Sequence, residues 1–379
     1  MAWAGKAADE SDYARDDYAP KKENTTEVER IPSVYSDTGD ENDRKQTRFS
    51  ETLSSGKKSL DNVSMVTTKE APVGRKNGDE TVATNVILMA YMKGGSTFVG
   101  SILGHTPKSI HFYQPVLSVY GKNYDYISKD KTCSVLTNKC RNGTAGAYLA
   151  TRVLTEIFNC TLSRYTIRRL SDGKGGRNWK VYRDCMYHFD SHEECRKYCA
   201  DKIRVAKVLG LSMDMIEGLL DSLPSLKVIY LLRDPRATMV SRLTHMGAKR
   251  FLEENIIDTS RALCERMLND ISISKTIQQK YPLRFKSITY ESIAREPIPK
   301  AVEMYNFIDY VYQESDLERI RMITNSPQSS DKVGQVKRAN STATSENWKY
   351  VIKPRIKNTI DSSCSKTYTQ LRGFGYAAP

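Results

Sequence analysis

The stretch Val86–Leu103 constrains the fold of this chain more than any other. It begins with an unbroken apolar run, Val86–Tyr91, which is short enough to be a buried strand. The polar turn Lys93-Gly94-Gly95-Ser96-Thr97 follows, and apolar residues then recur at helical spacing, which predicts a helix from about Ser96. A strand, a glycine turn and a helix N-terminus together form a cradle for phosphate, because free backbone N–H groups and the helix dipole attract an anion.

The side chains of this turn fit the same interpretation. Lys93 would add a full positive charge, and the two hydroxyl groups would add hydrogen-bond donors. The alternative is an ordinary turn that leads into a core helix, with Lys93 in solvent. The pattern G-x-x-x-x-G-K-[ST] is absent from the turn, and so is G-x-G-x-x-G, which disfavours kinases and dehydrogenases.

A second strand-to-helix turn carries basic residues. The apolar run Leu226–Leu232 leads directly into Arg233-Asp234-Pro235-Arg236, and a helix is predicted to continue to Leu243. In an open α/β sheet, ligands bind beside the carboxyl ends of the strands, where Arg233 and Ser241 would lie. An arginine fork and a hydroxyl suit a terminal phosphate. The alternative is a surface ion pair between Arg233 and Asp234 at an ordinary helix start.

The remaining pattern predicts an α/β fold with a mostly parallel, P-loop-like sheet flanked by helices, because strands alternate with helices. Residues 110–119 are predicted to form a short strand or a packed loop, and residues 121–145 and 170–185 to form loops. Further predicted elements are a strand over Phe285–Tyr290, two helices within 299–324, and helices over Ala145–Phe158, Met213–Leu223, Asp258–Lys280 and Arg355–Leu371.

The first 80 residues have a different composition. They are rich in Asp, Glu, Lys, Ser and Thr, and no helical or strand period persists. Such a segment does not bury enough apolar surface to fold. We therefore predict a disordered, stem-like arm over residues 1–80 and one folded domain over 81–379.

Charge and cysteine content restrict the partners and the compartment. The net charge of +13 favours anionic partners, such as nucleotides or acidic glycans. No apolar run reaches transmembrane length, and the first residues lack the apolar core of a signal peptide. Eight cysteines and five glycosylation sequons nevertheless suit an oxidising compartment. The irregular Cys185, His188, His192, Cys195 and Cys199 spacing favours disulfides or free thiols over zinc.

The two basic turns together resemble the sulfotransferase superfamily, whose donor nucleotide, 3′-phosphoadenosine 5′-phosphosulfate, carries an anion at each end. Lys93–Gly100 looks like the family's 5′-phosphosulfate loop, and Arg233–Arg242 looks like its 3′-phosphate motif. The closer resemblance is to the Golgi carbohydrate 6-O-sulfotransferases. It extends to Tyr290–Pro297 and to the C-terminal run from Asn340 through Trp348 and Cys364 to Gly375-Tyr376.

This resemblance implies a site, a co-substrate and a location. The implied donor-binding residues are Lys93, Gly94, Gly95, Ser96, Thr97, Phe98, Arg233 and Ser241. The implied co-substrate is 3′-phosphoadenosine 5′-phosphosulfate, without a metal. The implied partner is a glycan or proteoglycan acceptor rather than nucleic acid. The implied place is the Golgi lumen as a type II membrane protein, although this chain shows no anchor.

The sequence departs from the family pattern at the expected general base. The family commonly has Phe-Glu-Pro where this chain has Tyr113-Gln114-Pro115, and an amide does not accept a proton at neutral pH. Lys93 replaces the usual arginine, which keeps the charge. His111 lies three residues before Gln114 and could act as the base instead, or it could be a partly buried histidine with satisfied hydrogen bonds.

Three functions are consistent with these patterns. The first is transfer of a sulfuryl group to a sugar hydroxyl, most simply at the 6-position, with Lys93, Gln114 and His111 as the catalytic residues. The second is a catalytically silent protein that binds nucleotide or glycan on the same fold, as Gln114 suggests. The third is a nucleotide or shikimate-type kinase, which would need Mg²⁺ ligands near the loop that the sequence does not supply.

Overall fold

The computed structural model describes residues 84–120, 125–136, 138–171, 179–188, 192–246, 249–326 and 336–375. The predicted arm over 1–80 and Tyr376 of the C-terminal run lie outside the described residues. The strands are β1 (Asn85–Ala90), β2 (Ser109–Tyr113), β3 (Asp125–Ile127), β4 (Lys131–Ser134), β5 (Cys140–Asn142), β6 (Ile203–Leu209), β7 (Leu226–Leu232) and β8 (Phe285–Thr289).

Helices account for most of the other described residues. They are α1 (Ser96–Gly104), α2 (Pro115–Tyr120), α3 (Thr144–Phe158), α4 (Arg164–Ser171), α5 (Trp179–His188), α6 (His192–Ala200), α7 (Met213–Ser222), α8 (Pro235–His245), α9 (Lys249–Glu254), α10 (Ile256–Lys280), α11 (Tyr290–Arg295), α12 (Pro297–Phe307), α13 (Glu314–Thr324), α14 (Ser341–Glu346), α15 (Trp348–Val351) and α16 (Pro354–Leu371), followed by a 3₁₀ turn at Arg372–Phe374.

The main sheet has five strands in the order β2-β6-β1-β7-β8, and every neighbouring pair is parallel. Strand β1 lies at the centre, with Leu88 opposite Lys207 on one side and opposite Ile229 on the other. The carboxyl ends of all five strands therefore meet at one edge. This confirms the predicted α/β class with a mostly parallel sheet.

Side chains alternate between two apolar layers along β1. Val86, Leu88 and Ala90 contribute to the layer that includes α1, α11, α12 and α13. The residues between them, which are Ile87, Met89 and Tyr91, contribute to the layer that includes α3, α7, α10 and α16. We call these the α1 face and the α10 face. The period of two explains why Val86–Tyr91 reads as a continuous apolar run, since both faces are covered.

A second, antiparallel sheet of order β3-β4-β5 lies within the region that the sequence predicted to be a loop. Cys133 and Cys140 are direct partners in the β4–β5 pair and form a disulfide. The prediction of a loop over 121–145 was therefore wrong for these strands, which are only three or four residues long.

The disulfides pair all eight cysteines. Besides Cys133–Cys140 they are Cys160–Cys199, Cys185–Cys195 and Cys264–Cys364. The Cys264–Cys364 disulfide links α10 to α16, and its two cysteines are 100 residues apart in the sequence. The cysteines of the irregular Cys/His segment are thus used for disulfides, and no group of metal ligands occurs within the described ranges.

Most of the predicted helices and strands are present, but residues 115–119, predicted as strand or packed loop, are helical in α2, and helices α4, α6 and α9 were not predicted. Residues 179–185 are helical in α5 rather than part of a loop, because Trp179 and Tyr182 pack their rings on Phe112 of β2. Strand β6, which the sequence analysis did not predict, lies between β1 and β2. Within the part of the chain that the structure describes, no helix is long and apolar enough to cross a membrane.

Candidate anion-binding site at the edge of the sheet

The turn between β1 and α1 has the geometry of an anion cradle. Lys93 and Gly95 both adopt left-handed backbone conformations, with φ of 65° and 88°. Helix α1 starts without a side-chain cap and without an acidic residue in its first turn. The free N–H groups at its N-terminus therefore remain available to an anion.

Position 95 requires glycine for two reasons, which are its left-handed backbone angle and the close approach of Tyr290. A Cβ atom at this position would lie 2.2 Å from the ring of Tyr290, which begins α11. Phe98 of α1 contacts the same ring edge-on, with 6.1 Å between the ring centroids. Tyr290 thus fixes the turn from the α1 face, and only glycine allows this close approach.

Arg233 lies at the carboxyl end of β7 and reaches the same turn. Its guanidinium donates a hydrogen bond of 2.8 Å to the carbonyl oxygen of Lys93 and stacks 4.5 Å from the centroid of the Tyr290 ring. Its Nε is buried and has no hydrogen-bond partner among the described residues. The two basic turns of the sequence therefore meet in space, and one buried donor of Arg233 remains for a ligand.

Asp234 does not pair with Arg233 as the alternative interpretation required. It forms a buried ion pair with Arg236 at 2.8 Å and caps α8 by accepting from the Arg236 N–H. The Asp234 N–H donates to Glu291, and burial raises the pKa of that carboxyl while neighbouring Arg233 lowers it. Arg233 therefore contacts the β1–α1 turn rather than Asp234. Ser241 lies two helical turns further along α8 and is half-buried.

Lys207 is a functional candidate that the sequence analysis missed. It lies on β6 and is fully buried, with its ammonium 3.5 Å from the centroid of the Tyr113 ring and 3.3 Å from the hydroxyl oxygen of Thr97. Burial, together with the charge of Lys93, lowers its pKa to about 7. Burial also lowers the pKa of Lys93. A buried lysine is costly without an anion, so this pair suits a negatively charged ligand.

A signal for Lys207 exists in the sequence. The run Ile203-Arg204-Val205-Ala206-Lys207-Val208-Leu209 is largely apolar, and a lysine inside a buried strand is uncommon. Because β6 was not predicted to be a strand, Lys207 was not recognised as a buried lysine.

His111 lies on β2 and is 3% exposed. Its ring packs against Gly100 and Gly104 of α1, and burial together with Lys207 lowers its pKa to about 3. Neither ring nitrogen has a hydrogen-bond partner among the described residues. The burial of the ring disfavours His111 as the base, but its two nitrogens, which lack partners among the described residues, also differ from the satisfied hydrogen bonds of the structural alternative.

Gln114 joins β2 to α2 and is half-buried. It adopts a left-handed conformation with φ of 54°, and its N–H donates to the carbonyl oxygen of Lys207 at 3.0 Å. A non-glycine residue in this region costs about 1–3 kcal/mol and often marks a functional site. Gln114 therefore lies at the same edge of the sheet as the cradle.

The predicted residues do not all occupy one place. Lys93, Thr97 and Arg233 come together around the turn, joined by the unpredicted Lys207. Gly94, Gly95, Ser96 and Phe98 form the turn and the first residues of α1. Ser241 and Gln114 lie beside it on neighbouring elements, and His111 lies beneath α1.

Comparison with known proteins identifies relatives of this chain. The family described as "Sulfotransferase domain" matches residues 83–372. Human carbohydrate sulfotransferase 1 is 23% identical over 334 residues, covering 78% of this chain and 80% of that protein. Mouse carbohydrate sulfotransferase 3 is 26% identical over 197 residues, covering 48% of this chain and 40% of that protein, so this alignment spans less than half of that relative.

Solved structures resemble the chain more distantly. A mouse sulfotransferase in complex with PAP has a TM-score of 0.42 and 11% sequence identity, covering 78% of this chain and 89% of that one. The sulfotransferase domain of a Synechococcus olefin synthase has a TM-score of 0.40 and 13% identity, covering 81% of this chain and 100% of that one.

The buried Lys207 predicts a distinct pH dependence of stability. Its folded pKa of about 7 lies below the value of about 10.4 for an unfolded lysine, so between these values the unfolded state binds more protons and stability rises with pH. Lys207→Met should therefore stabilise the unliganded protein by a few kcal/mol at pH 6, and its advantage should shrink as the pH rises toward 10.

Urea unfolding of wild type and variant between pH 6 and 10 measures this difference. The matched control is Lys197→Met, which removes an exposed lysine of α6. A stability gap between wild type and Lys207→Met that does not change with pH would contradict a buried, titrating Lys207.

Proposed function

The chain belongs to the sulfotransferase domain family, and we propose that it transfers a sulfuryl group from 3′-phosphoadenosine 5′-phosphosulfate to a hydroxyl of a glycan sugar. The 6-hydroxyl is the proposed position. The family match gives the class of reaction, and the carbohydrate sulfotransferases among the relatives support a sugar acceptor.

The observation that carries this proposal is the hydrogen bond from Arg233 to the carbonyl oxygen of Lys93. It places a helix N-terminus with two lysines beside an arginine that has a buried, unused donor. The donor nucleotide carries a phosphosulfate at the 5′-end and a phosphate at the 3′-position. The cradle at the start of α1 and the Arg233 guanidinium are two neighbouring anion sites joined by this hydrogen bond, and they match those two groups.

The cradle suits the phosphosulfate end. Backbone N–H groups of the turn and the charges of Lys93 and Lys207 would bind its oxygens, and Thr97 would add a hydroxyl donor. Arg233 and Ser241 would bind the 3′-phosphate. The left-handed Lys93 and the close Gly95–Tyr290 contact hold the turn in place before the ligand arrives, which reduces the cost of ordering it.

The transfer itself requires little covalent chemistry from the protein. The sugar hydroxyl oxygen forms a bond to sulfur, the bond from sulfur to the 5′-phosphate oxygen breaks, and adenosine 3′,5′-bisphosphate leaves. Negative charge grows on the bridging oxygen as that bond breaks. By analogy with phosphoryl transfer, fixed positive groups at this oxygen lower the barrier, and Lys93 and Lys207 would supply them.

Position 114 carries an amide, so no carboxylate at this position receives the proton of the acceptor hydroxyl. The amide can orient a hydroxyl by hydrogen bonding, but it does not remove the proton. His111 is enclosed beneath α1, and its pKa of about 3 makes it a weak base. A general base contributes about 10²–10⁴-fold, so transfer can proceed with water as the proton acceptor, at a lower rate.

A sulfate-transfer assay tests the function directly. Donor nucleotide labelled in its sulfate is incubated with the full chain and a panel of neutral and acidic oligosaccharides, and labelled glycan is separated from labelled nucleotide. We expect label on at least one glycan. Binding of adenosine 3′,5′-bisphosphate without transfer to any glycan would instead favour the catalytically silent protein.

Two substitutions test the 3′-phosphate site. Ser241→Ala removes one hydrogen bond to a charged group, worth about 1.5–3 kcal/mol, so affinity for adenosine 3′,5′-bisphosphate should fall roughly tenfold or more. Arg233→Ala should weaken binding further, because it also releases the carbonyl oxygen of Lys93.

Isothermal titration calorimetry measures both effects. Thr244→Ala on the same helix is the control, since that exposed hydroxyl bonds only to the carbonyl of Val240 among the described residues. Unchanged affinity in Ser241→Ala and Arg233→Ala would remove both residues from the nucleotide site.

Restoring a carboxylate at position 114 should increase turnover. Gln114→Glu supplies a base where the family commonly has one, and turnover should rise by about tenfold or more while donor affinity stays nearly constant. His111→Ala should have little effect on turnover in either background, since the ring is enclosed. The sulfate-transfer assay across pH measures all four proteins. Unchanged turnover in Gln114→Glu would show that position 114 is not at the acceptor hydroxyl.

We propose that the protein works in an oxidising lumen, and the resemblance to Golgi enzymes supports the Golgi as that compartment. All eight cysteines form disulfides, as is usual in such compartments. The sequon asparagines Asn142, Asn159 and Asn340 are exposed. Mass spectrometry of the endogenous protein should find oxidised cysteines and glycosylated sequons, whereas reduced cysteines and unmodified sequons would contradict a lumenal site.

A further inference from the structure

Tyr113 ends β2 at the same edge of the sheet as the cradle, and it has no part in the nucleotide contacts proposed so far. Its phenol hydroxyl lies 3.4 Å from the hydroxyl of Thr97, in the first turn of α1. The next residue along the chain is Gln114, where we place the acceptor hydroxyl. Tyr113 therefore connects the proposed donor loop with the proposed acceptor position.

The ring of Tyr113 is held by the buried lysine of β6. The ammonium of Lys207 lies 3.5 Å from the centroid of this ring and 3.3 Å from the hydroxyl oxygen of Thr97. A cation over the face of a tyrosine ring is attracted by the negative charge density of that face, and the attraction is stronger where water is excluded. This contact fixes the ring, so the phenol hydroxyl already faces Thr97 in the unliganded protein.

The two hydroxyl groups retain hydrogen-bonding capacity for a ligand. Hydrogen bonds between hydroxyl groups are usually about 2.5–3.0 Å long, so the contact of 3.4 Å between Tyr113 and Thr97 is weak. It is the only hydrogen bond of the Tyr113 hydroxyl within the described part of the chain. Both side chains are half-buried, which leaves them accessible from the edge of the sheet. A ligand oxygen between the two groups would accept a hydrogen bond from each.

We propose that Tyr113 is a catalytic residue, whose hydroxyl donates a hydrogen bond to an oxygen of the transferred sulfuryl group. The inference rests on the proposed function, because it assigns a further contact in that reaction. In an in-line transfer the sulfur lies between the 5′-phosphate at the cradle and the acceptor hydroxyl at Gln114, which are the two places that Tyr113 connects.

Tyr113 keeps its proton throughout the transfer. The acceptor oxygen forms its bond to sulfur, the bond from sulfur to the 5′-phosphate oxygen breaks, and the proton of the acceptor goes to water. The phenol holds the sulfuryl group in line by hydrogen bonding alone. Because the ring is already fixed by Lys207, little ordering of Tyr113 is needed when the donor binds.

The first test compares two nucleotides on the full chain. Tyr113→Phe removes the hydroxyl and keeps the ring over Lys207. The variant should bind 3′-phosphoadenosine 5′-phosphosulfate about tenfold more weakly than wild type does, with a similar fall in kcat/KM for this donor. Its affinity for adenosine 3′,5′-bisphosphate, which has no sulfuryl group, should be unchanged. Calorimetry without an acceptor measures both affinities, and the sulfate-transfer assay measures kcat/KM.

The matched control is Tyr312→Phe, which removes another half-buried tyrosine hydroxyl, between α12 and α13. It should bind both nucleotides as wild type does. An unchanged affinity and kcat/KM for the phosphosulfate donor in Tyr113→Phe would overturn the proposal, and so would an equal loss for the two nucleotides.

A second test separates a direct contact from an effect through Thr97. Thr97→Val removes the neighbouring hydroxyl, and Tyr113→Phe is then added to this background. If Tyr113 contacts the sulfuryl group itself, the double variant should have about tenfold lower kcat/KM for the donor than Thr97→Val alone. Equal values would mean that Tyr113 only orients Thr97, and this would contradict a catalytic Tyr113.

The two proposals fail in different ways. If wild type transfers no sulfate to any glycan, the proposed function fails, and the catalytic role of Tyr113 fails with it. If wild type transfers sulfate and Tyr113→Phe does so with equal kcat/KM and equal donor affinity, only the role of Tyr113 fails. Thermal unfolding of each variant separates loss of fold from loss of the contact.

Discussion

The parallel pairing of β1 with both β6 and β7 is the constraint on which the site depends. Because Leu88 is opposite Lys207 on one side and Ile229 on the other, the three strands end together. The alternation of side chains then directs Lys207 toward Thr97, and it directs Arg233, at the end of β7, toward the ring of Tyr290. A shift of one residue in either pair would exchange these side chains between the two faces of the sheet.

Stability and function conflict at this edge. Lys93 and Gln114 hold left-handed conformations that cost free energy, and Lys207 is buried without an opposite charge among the described residues. The core below them is apolar and continuous on both faces of the sheet, which can offset such costs. A bound anion would reduce the free-energy cost of burying Lys207, because it would supply the opposite charge.

Sequence patterns predicted the parts of this site that depend on local structure. A strand, a glycine turn and a helix start are encoded within Val86–Leu103, and the same is true of the turn at Arg233. The hydrogen bond between Arg233 and Lys93 joins residues 140 positions apart, so no local pattern contains it. Lys207 and the burial of His111 depend on the position of β6 beside β2, which is a tertiary contact. The short strands β3–β5 carry too few residues for a period to appear.

The central claim is that one edge of the sheet holds both anionic ends of a single nucleotide. A crystal structure of the full chain with adenosine 3′,5′-bisphosphate tests it most directly. The account predicts the 5′-phosphate at the N-terminus of α1, within hydrogen-bond distance of Lys93 and the N–H groups of the turn, and the 3′-phosphate at Arg233 and Ser241. A nucleotide bound in the reverse orientation, or at another edge, would contradict it.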